Sequence, residues 1–263
     1  NAEVRGNAKI YDYAEVCGDA KIYDYAEVSG NAWVYDNAAV SGKAKIYDYA
    51  EVCGNAAVCD NAKVRGKAIV RGEAWVCDNA KIYDHAKVSG NAKVYDNAAV
   101  CDNAEVRGEA KVSGNAEVIG NAAVCGNAIV SGNAKIYDNA EVRGNAKIYD
   151  YAEVCGNAKV YDNAEVYDNA AVCDNAKVSG NAAVSGNAKV RGNAIVEKKA
   201  DYIVFKNWWS SGRYFTWTRS NNMWAVGCFF GTGSELIKKA YDDSAQSGKE
   251  YERIVQYVER ILE

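Results

Sequence analysis

The chain has 263 residues, a formal net charge of −4, nine cysteines, one histidine and no proline. That length allows one or two domains with a substantial core. The near balance of 31 basic and 35 acidic side chains gives no global field to gather nucleic acid or an anionic membrane, so neither is an expected partner. No run approaches the roughly 20 apolar residues of a membrane span, and no charged-then-apolar leader opens the chain.

Residues 1–198 divide without insertion into 33 hexads of the form Asn-Ala-x-Val-x-Gly/Asp. Position two is Ala throughout, position four is Val or Ile, and position six is Gly or Asp except at Lys198. So strict a period marks a repeat architecture. Within each hexad, Ala and Val/Ile fall two apart and define the inward side of a short strand. The Gly-Asn, Asp-Asn and Asp-Tyr pairs at the boundaries supply residues that tolerate the positive φ of a sharp corner. One unit cannot bury its own apolar side, so units must coil and stack. The expected class is mainly β, a solenoid with Ala and Val/Ile columns inside and Asn ladders along its corners. A larger interior residue, as in Ala56→Leu, should not fit.

In this pattern the chain resembles the hexapeptide-repeat family over residues 1–198. The resemblance implies a left-handed parallel β-helix with three hexads per triangular coil, hence 11 coils from 33 hexads. At a strand spacing of about 4.8 Å the rod is roughly 50 Å long. Acyltransferases and some carbonic anhydrases belong to that family. Its acyltransferases use a histidine in a cleft shaped by an inserted loop, and its anhydrases need three zinc ligands. Here the lone His85 occupies position one of an ordinary hexad and no loop interrupts the repeat. The expectation is therefore no enzyme and no cofactor. An ice-binding face is equally poorly matched, because the repeat contains no Thr.

With positions three and five taken to face solvent, the 18-residue coil sorts them into three faces. The first carries Ala39/Ser41, Ala57/Cys59 and Trp75/Cys77, a small uncharged patch ending in Trp75 and the best interface candidate on the rod. Drift in a repeat array explains the same residues without a partner. The second alternates Lys and Tyr (Lys9/Tyr11, Lys45/Tyr47, Lys81/Tyr83), which ordinary cross-strand ladders account for. The third offers Trp33/Tyr35. Eight cysteines occupy position five, and only Cys59/Cys77 and Cys155/Cys173 fall one coil apart on one face, within disulfide range. Without CxxC motifs or clustered histidines, no metal site is expected. Free thiols in a reducing bacterial cytoplasm are.

Composition shifts after Val196, where aromatic residues take over. Residues 199–263 read as an α+β domain with strands over Tyr202–Trp208, Arg213–Thr218 and Met223–Phe230. A first helix follows with Ser234 as N-cap, then a second after Ser247-Gly248 with Tyr251, Ile254, Val255, Val258 and Ile261/Leu262 on one face. The GTGS stretch at 231–234 lacks a Walker lysine and serves as a cap. The domain is expected to cover the end of the rod. Its YIVFKNWW and RYFTWTRSNNMW segments are similar to a C-terminal domain of uncharacterised phage and prophage proteins. No cap precedes the first coil, which suggests end-to-end pairing with a second copy or a preceding segment.

These readings converge on a structural or protein-binding rod of phage type, with host takeover or anti-defence as its expected role. Partner-contact candidates are Trp33, Trp75, Ala39, Ala57, Trp208, Trp209, Arg213 and Arg219, the aromatic and Arg types that anchor interfaces. Core packing is the competing role for the tail tryptophans. A protein partner and a homo-oligomer, dimer or trimer, are expected. A self-assembling virion or filament component is the alternative, and an acyltransferase-like enzyme the disfavoured one.

Overall fold

A computed structural model describes residues 1–262. Every hexad contributes one two-residue strand at positions three and four, from Glu3–Val4 (β1) to Ile195–Val196 (β33). Strands three apart pair in parallel, giving three 11-stranded sheets and therefore three hexads per coil. The register is an unbroken 18-residue step, as in Glu3↔Lys21 and Val4↔Ile22. From the second coil onward the position-two Ala and position-four Val/Ile side chains have essentially no exposure. Each buried Val contributes on the order of 1.5–3 kcal/mol, so cohesion accumulates coil by coil.

The corners show how each hexad type meets its backbone obligations. Position-six Gly and Asp residues have positive φ, for example 61° at Asp12 and 69° at Gly18. Asp tolerates that region because its short polar side chain can bond locally. Here it does more: its carboxylate accepts the position-six N–H of the next coil, as in Gly30 N to Asp12 Oδ2 at 3.2 Å and Gly114 N to Asp96 Oδ2 at 2.9 Å. Position-one asparagines form the expected amide ladders, such as Asn97 to Asn115 at 3.2 Å and Asn115 to Asn133 at 3.0 Å.

The ladder also has a direction. N–H groups at positions one, three and five donate to carbonyls of the following coil: Glu3 N to Ala20 O (2.9 Å), Arg5 N to Ile22 O (2.9 Å), Asn7 N to Asp24 O (2.6 Å). The last coil is therefore left with donors that need acceptors. Residues 199–262 supply them. Thr216 Oγ1 takes Lys189 N at 2.8 Å, Ser220 Oγ takes Ile195 N at 2.6 Å, and Asp201 Oδ2 takes Glu197 N at 2.8 Å. The Tyr202 hydroxyl receives Ser185 N at 3.3 Å while donating to Ala183 O at 3.0 Å.

This cap is an antiparallel sheet, β34 (Tyr202–Lys206), β35 (Tyr214–Thr218), β36 (Met223–Val226) and β37 (Phe229–Gly231), followed by α1 (Gly233–Asp243) and α2 (Ala245–Leu262). Period-two alternation divides its faces. Tyr202 and Val204 pack on the end of the rod core, whereas Ile203, Phe205, Phe215, Trp217 and Trp224 pack with the helices.

The first cap strand ends at Lys206 rather than Trp208 and the second begins at Tyr214 rather than Arg213, and three further boundaries differ from the sequence reading. The segment Met223–Phe230 is two strands, because Gly227 at φ 58° lets the chain reverse between Val226 and Phe229. The N-cap of α1 is Thr232, not Ser234: Thr232 Oγ1 accepts Glu235 N at 3.3 Å and Glu235 Oε2 accepts Thr232 N at 2.8 Å, a reciprocal capping box. Helix α2 starts two residues before Ser247 and runs through Gly248, which is buried because the Tyr241 ring occupies the space of its missing Cβ. On α2, Tyr251, Val255 and Val258 are buried, but Ile261 and Leu262 are exposed.

Candidate functional site

The strand ladder fixes where each outward candidate lies. Ala39, Ala57 and Trp75 are consecutive rungs of one sheet, so the proposed patch is contiguous. Trp75 does not stand off it. Its indole Nε1–H donates to Cys59 Sγ at 3.3 Å and the Lys93 ammonium sits 5.5 Å from the ring centroid. The ring thus leans back over the small floor made by Ala57 and Cys59, yet remains 42% exposed. Trp33, 48% exposed, lies on the third sheet edge-to-face with Tyr35 at 6.5 Å.

Position five is less outward than its alternation with Val suggests. Cys53, Cys77, Cys101, Cys155, Ser113 and Ser179 are buried. Long position-five side chains of the neighbouring coil cover the short ones, with Tyr35 against Cys53 and Tyr83 against Cys101. The expectation of free thiols throughout is corrected as well, because Cys155 and Cys173 form a disulfide with Cα atoms 4.6 Å apart. Stacking at the inter-strand spacing places two such side chains within bonding reach. Cys59 and Cys77 share that register but remain thiols. Burial pushes their pKa values up to about 11 and about 12, with Asp78 and Asp60 adding to the effect at Cys77.

Corner position one carries exposed aromatics that the reading by positions three and five overlooked. Tyr13, Tyr25, Tyr49 and Tyr151 are each at least 60% exposed. Their signal in the sequence is the replacement of the usual Asn by Tyr. His85 holds the same corner position, exposed, with its backbone N–H in the ordinary ladder to Asp102 O at 2.8 Å. On the Lys/Tyr face, glutamates interrupt the lysine row and pair with it, as Glu27 does with Lys45 at 2.8 Å and Glu117 with Lys135 at 3.5 Å.

In the cap, one turn separates two adjacent tryptophans. Asn207 is buried, its Oδ1 accepting Ser210 N at 2.9 Å and its amide donating to the Tyr251 hydroxyl at 3.2 Å. This pins the turn so that Trp209 packs against Tyr251 (5.0 Å, edge-to-face) while Trp208 projects outward, 73% exposed. Trp209 is thus a packing residue, and its buried Nε1 has no hydrogen-bond partner among the described residues. Trp217 and Trp224 are core. Arg213 and Arg219 are exposed, and Arg213 lines a cleft of about 210 Å³ with Lys239, Asp243 and Tyr251.

No family model and no curated protein matches this sequence. No described helix is long and apolar enough to cross a membrane.

Proposed function

We propose that the chain is a non-enzymatic binding rod of phage or prophage type, presenting flat faces of a left-handed hexapeptide β-helix and an aromatic cap to a protein partner, as a host-takeover or anti-defence protein does. The observation that carries this reading is the set of solvent-facing tryptophans, Trp33, Trp75 and Trp208, on a repeat with no inserted loop. Large aromatic side chains held on rigid strands lose little conformational freedom on binding and anchor interfaces efficiently. Ala39 and Ala57 form the flat floor beside Trp75, and Arg213 and Arg219 stand at the exposed edge of the cap. The reading assigns no cofactor, no nucleic acid and no membrane to the protein, and the cytoplasm of a bacterial host as its site of action.

Affinity capture from host lysate tests it, with the intact chain and its Trp75→Ala, Trp33→Ala and Trp208→Ala variants compared side by side. A specific protein retained by the intact chain and lost with one of these changes supports the reading and names the face. Equal capture by all four refutes the assignment of tryptophan anchors.

A second reading is self-assembly into a dimer, trimer or filament. Sedimentation across a concentration series separates the two: growth of large particles without any second protein supports self-assembly.

A further inference from the structure

We propose that Cys59, Cys77 and Asp60 form a binding site for one thiophilic divalent metal ion of the zinc class. Strands Ala57–Val58 (β10) and Trp75–Val76 (β13) pair in register, which stacks Cys59 directly beside Cys77. The two sulfurs and an Asp60 carboxylate oxygen all lie within 4.8 Å of one another. Two sulfurs on one zinc ion sit ~3.7 Å apart, given Zn–S bonds of about 2.3 Å and tetrahedral angles. Side-chain rotation alone covers that difference.

The surroundings supply what a soft-metal site needs beyond two thiols. Asp78 Oδ2 lies 3.5 Å from Cys77 Sγ, a further oxygen ligand beside the cluster. Among the described residues neither Asp60 nor Asp78 takes part in an ion pair, so the carboxylates beside the thiols have no paired cation. The other stacked pair sharpens the contrast. Cys155 is followed by Gly156 and closes a disulfide with Cys173, whereas both members of the open pair are followed by Asp. Thiolate with carboxylate is a donor set suited to zinc-class ions, with a water able to complete four-coordination. A thiol must give up its proton to bind such an ion as thiolate. Binding therefore releases protons, and affinity rises with pH. In the sequence Cys59 and Cys77 pair only as a possible disulfide, because their potential ligand partners form no contiguous motif. The third ligand, Asp60, comes from a corner rather than from a strand position.

The test is titration of the full chain with Co²⁺ after reduction by a non-coordinating phosphine, following the sulfur-to-metal charge-transfer absorbance. The expected result is a band saturating at one ion per chain, lost in Cys59→Ser and in Cys77→Ser and retained in the Cys155→Ser/Cys173→Ser variant. Asp60→Asn should weaken binding while leaving the band. Ser already occupies position five at Ser41, Ser113 and Ser179, so the serine variants keep the fold, which circular dichroism checks. No saturable band, a band that survives Cys77→Ser, or binding that follows Cys155 and Cys173 would overturn the proposal.

Discussion

At a corner such as Asp96 the backbone sits at φ 60° and the side chain accepts Gly114 N at 2.9 Å. Two demands meet in one residue: tolerance of left-handed backbone and an acceptor for the coil above. They can be separated. Asp96→Gly keeps the conformation and removes only the acceptor, for a cost of about 0.5–1.5 kcal/mol. Asp96→Val loses the same bond and adds β-branched strain in the left-handed region of about 1–3 kcal/mol. Denaturant unfolding of the two variants should rank them in that order, and equal stability would deny the corner its conformational demand. Glu235 offers a pH-dependent counterpart. Its hydrogen bonds from the Thr232 backbone N–H, and then from the Thr232 hydroxyl, hold its carboxyl below the usual value. A lowered folded-state pKa contributes stability fully above the ordinary glutamate value of about 4.3, and that contribution is lost as pH falls through the lowered one. The stability gap between the native chain and Glu235→Gln should be constant near neutrality and close on acidification. A gap independent of pH would contradict the capping box.

The period and the inward columns of the rod were legible in the sequence, because a unit repeated 33 times leaves no freedom in phase once Ala and Val define the inside, whereas the partial burial of position five was not. The cap was less so. A strand signal over Met223–Phe230 cannot reveal that Gly227 reverses the chain, since an isolated Gly reads equally as a bulge. Gly248 reads as a breaker until the Tyr241 ring is seen resting on it. Thr232 and Ser234 are both acceptable N-caps, and only the reciprocal bond with Glu235 decides between them. The sequence also places aromatics in the tail without saying which face solvent. That split depends on Asn207 bonding to Tyr251, 44 residues away. The join between rod and cap yields its own prediction. Thr216 is buried and accepts Lys189 N at 2.8 Å, so Thr216→Val, nearly isosteric, strands a ladder donor at a cost of about 1–3 kcal/mol. Hydrogen exchange at Lys189 should accelerate with it. Unchanged exchange would mean that the cap merely leans on the rod.

Over the whole molecule, the structure is a one-dimensional stack with unlike ends. Because hexad N–H groups donate toward the C-terminus, the end covered by residues 199–262 is rich in donors, and hydroxyls and a carboxylate meet it. Stability in such a stack is roughly a sum of coil terms and neighbour contacts, and the three faces are set by an 18-residue period rather than by any long-range contact. The Ala39–Trp75 patch was readable from that period alone, whereas Asp60 and Asp78 beside the Cys59–Cys77 thiols were not, because corner and strand positions were considered apart. A rod that works by presenting faces depends on its surface anchors and its period, and not on any one coil between them. Excision of residues 109–126, one complete coil containing none of the candidate anchors, tests this directly. The expected product is a folded chain shorter by about 4.8 Å, with cooperative unfolding, the same face alignment and undiminished capture of the partner retained by the intact protein. A folded, correctly aligned variant that no longer captures it would contradict the presentation of faces as the basis of function.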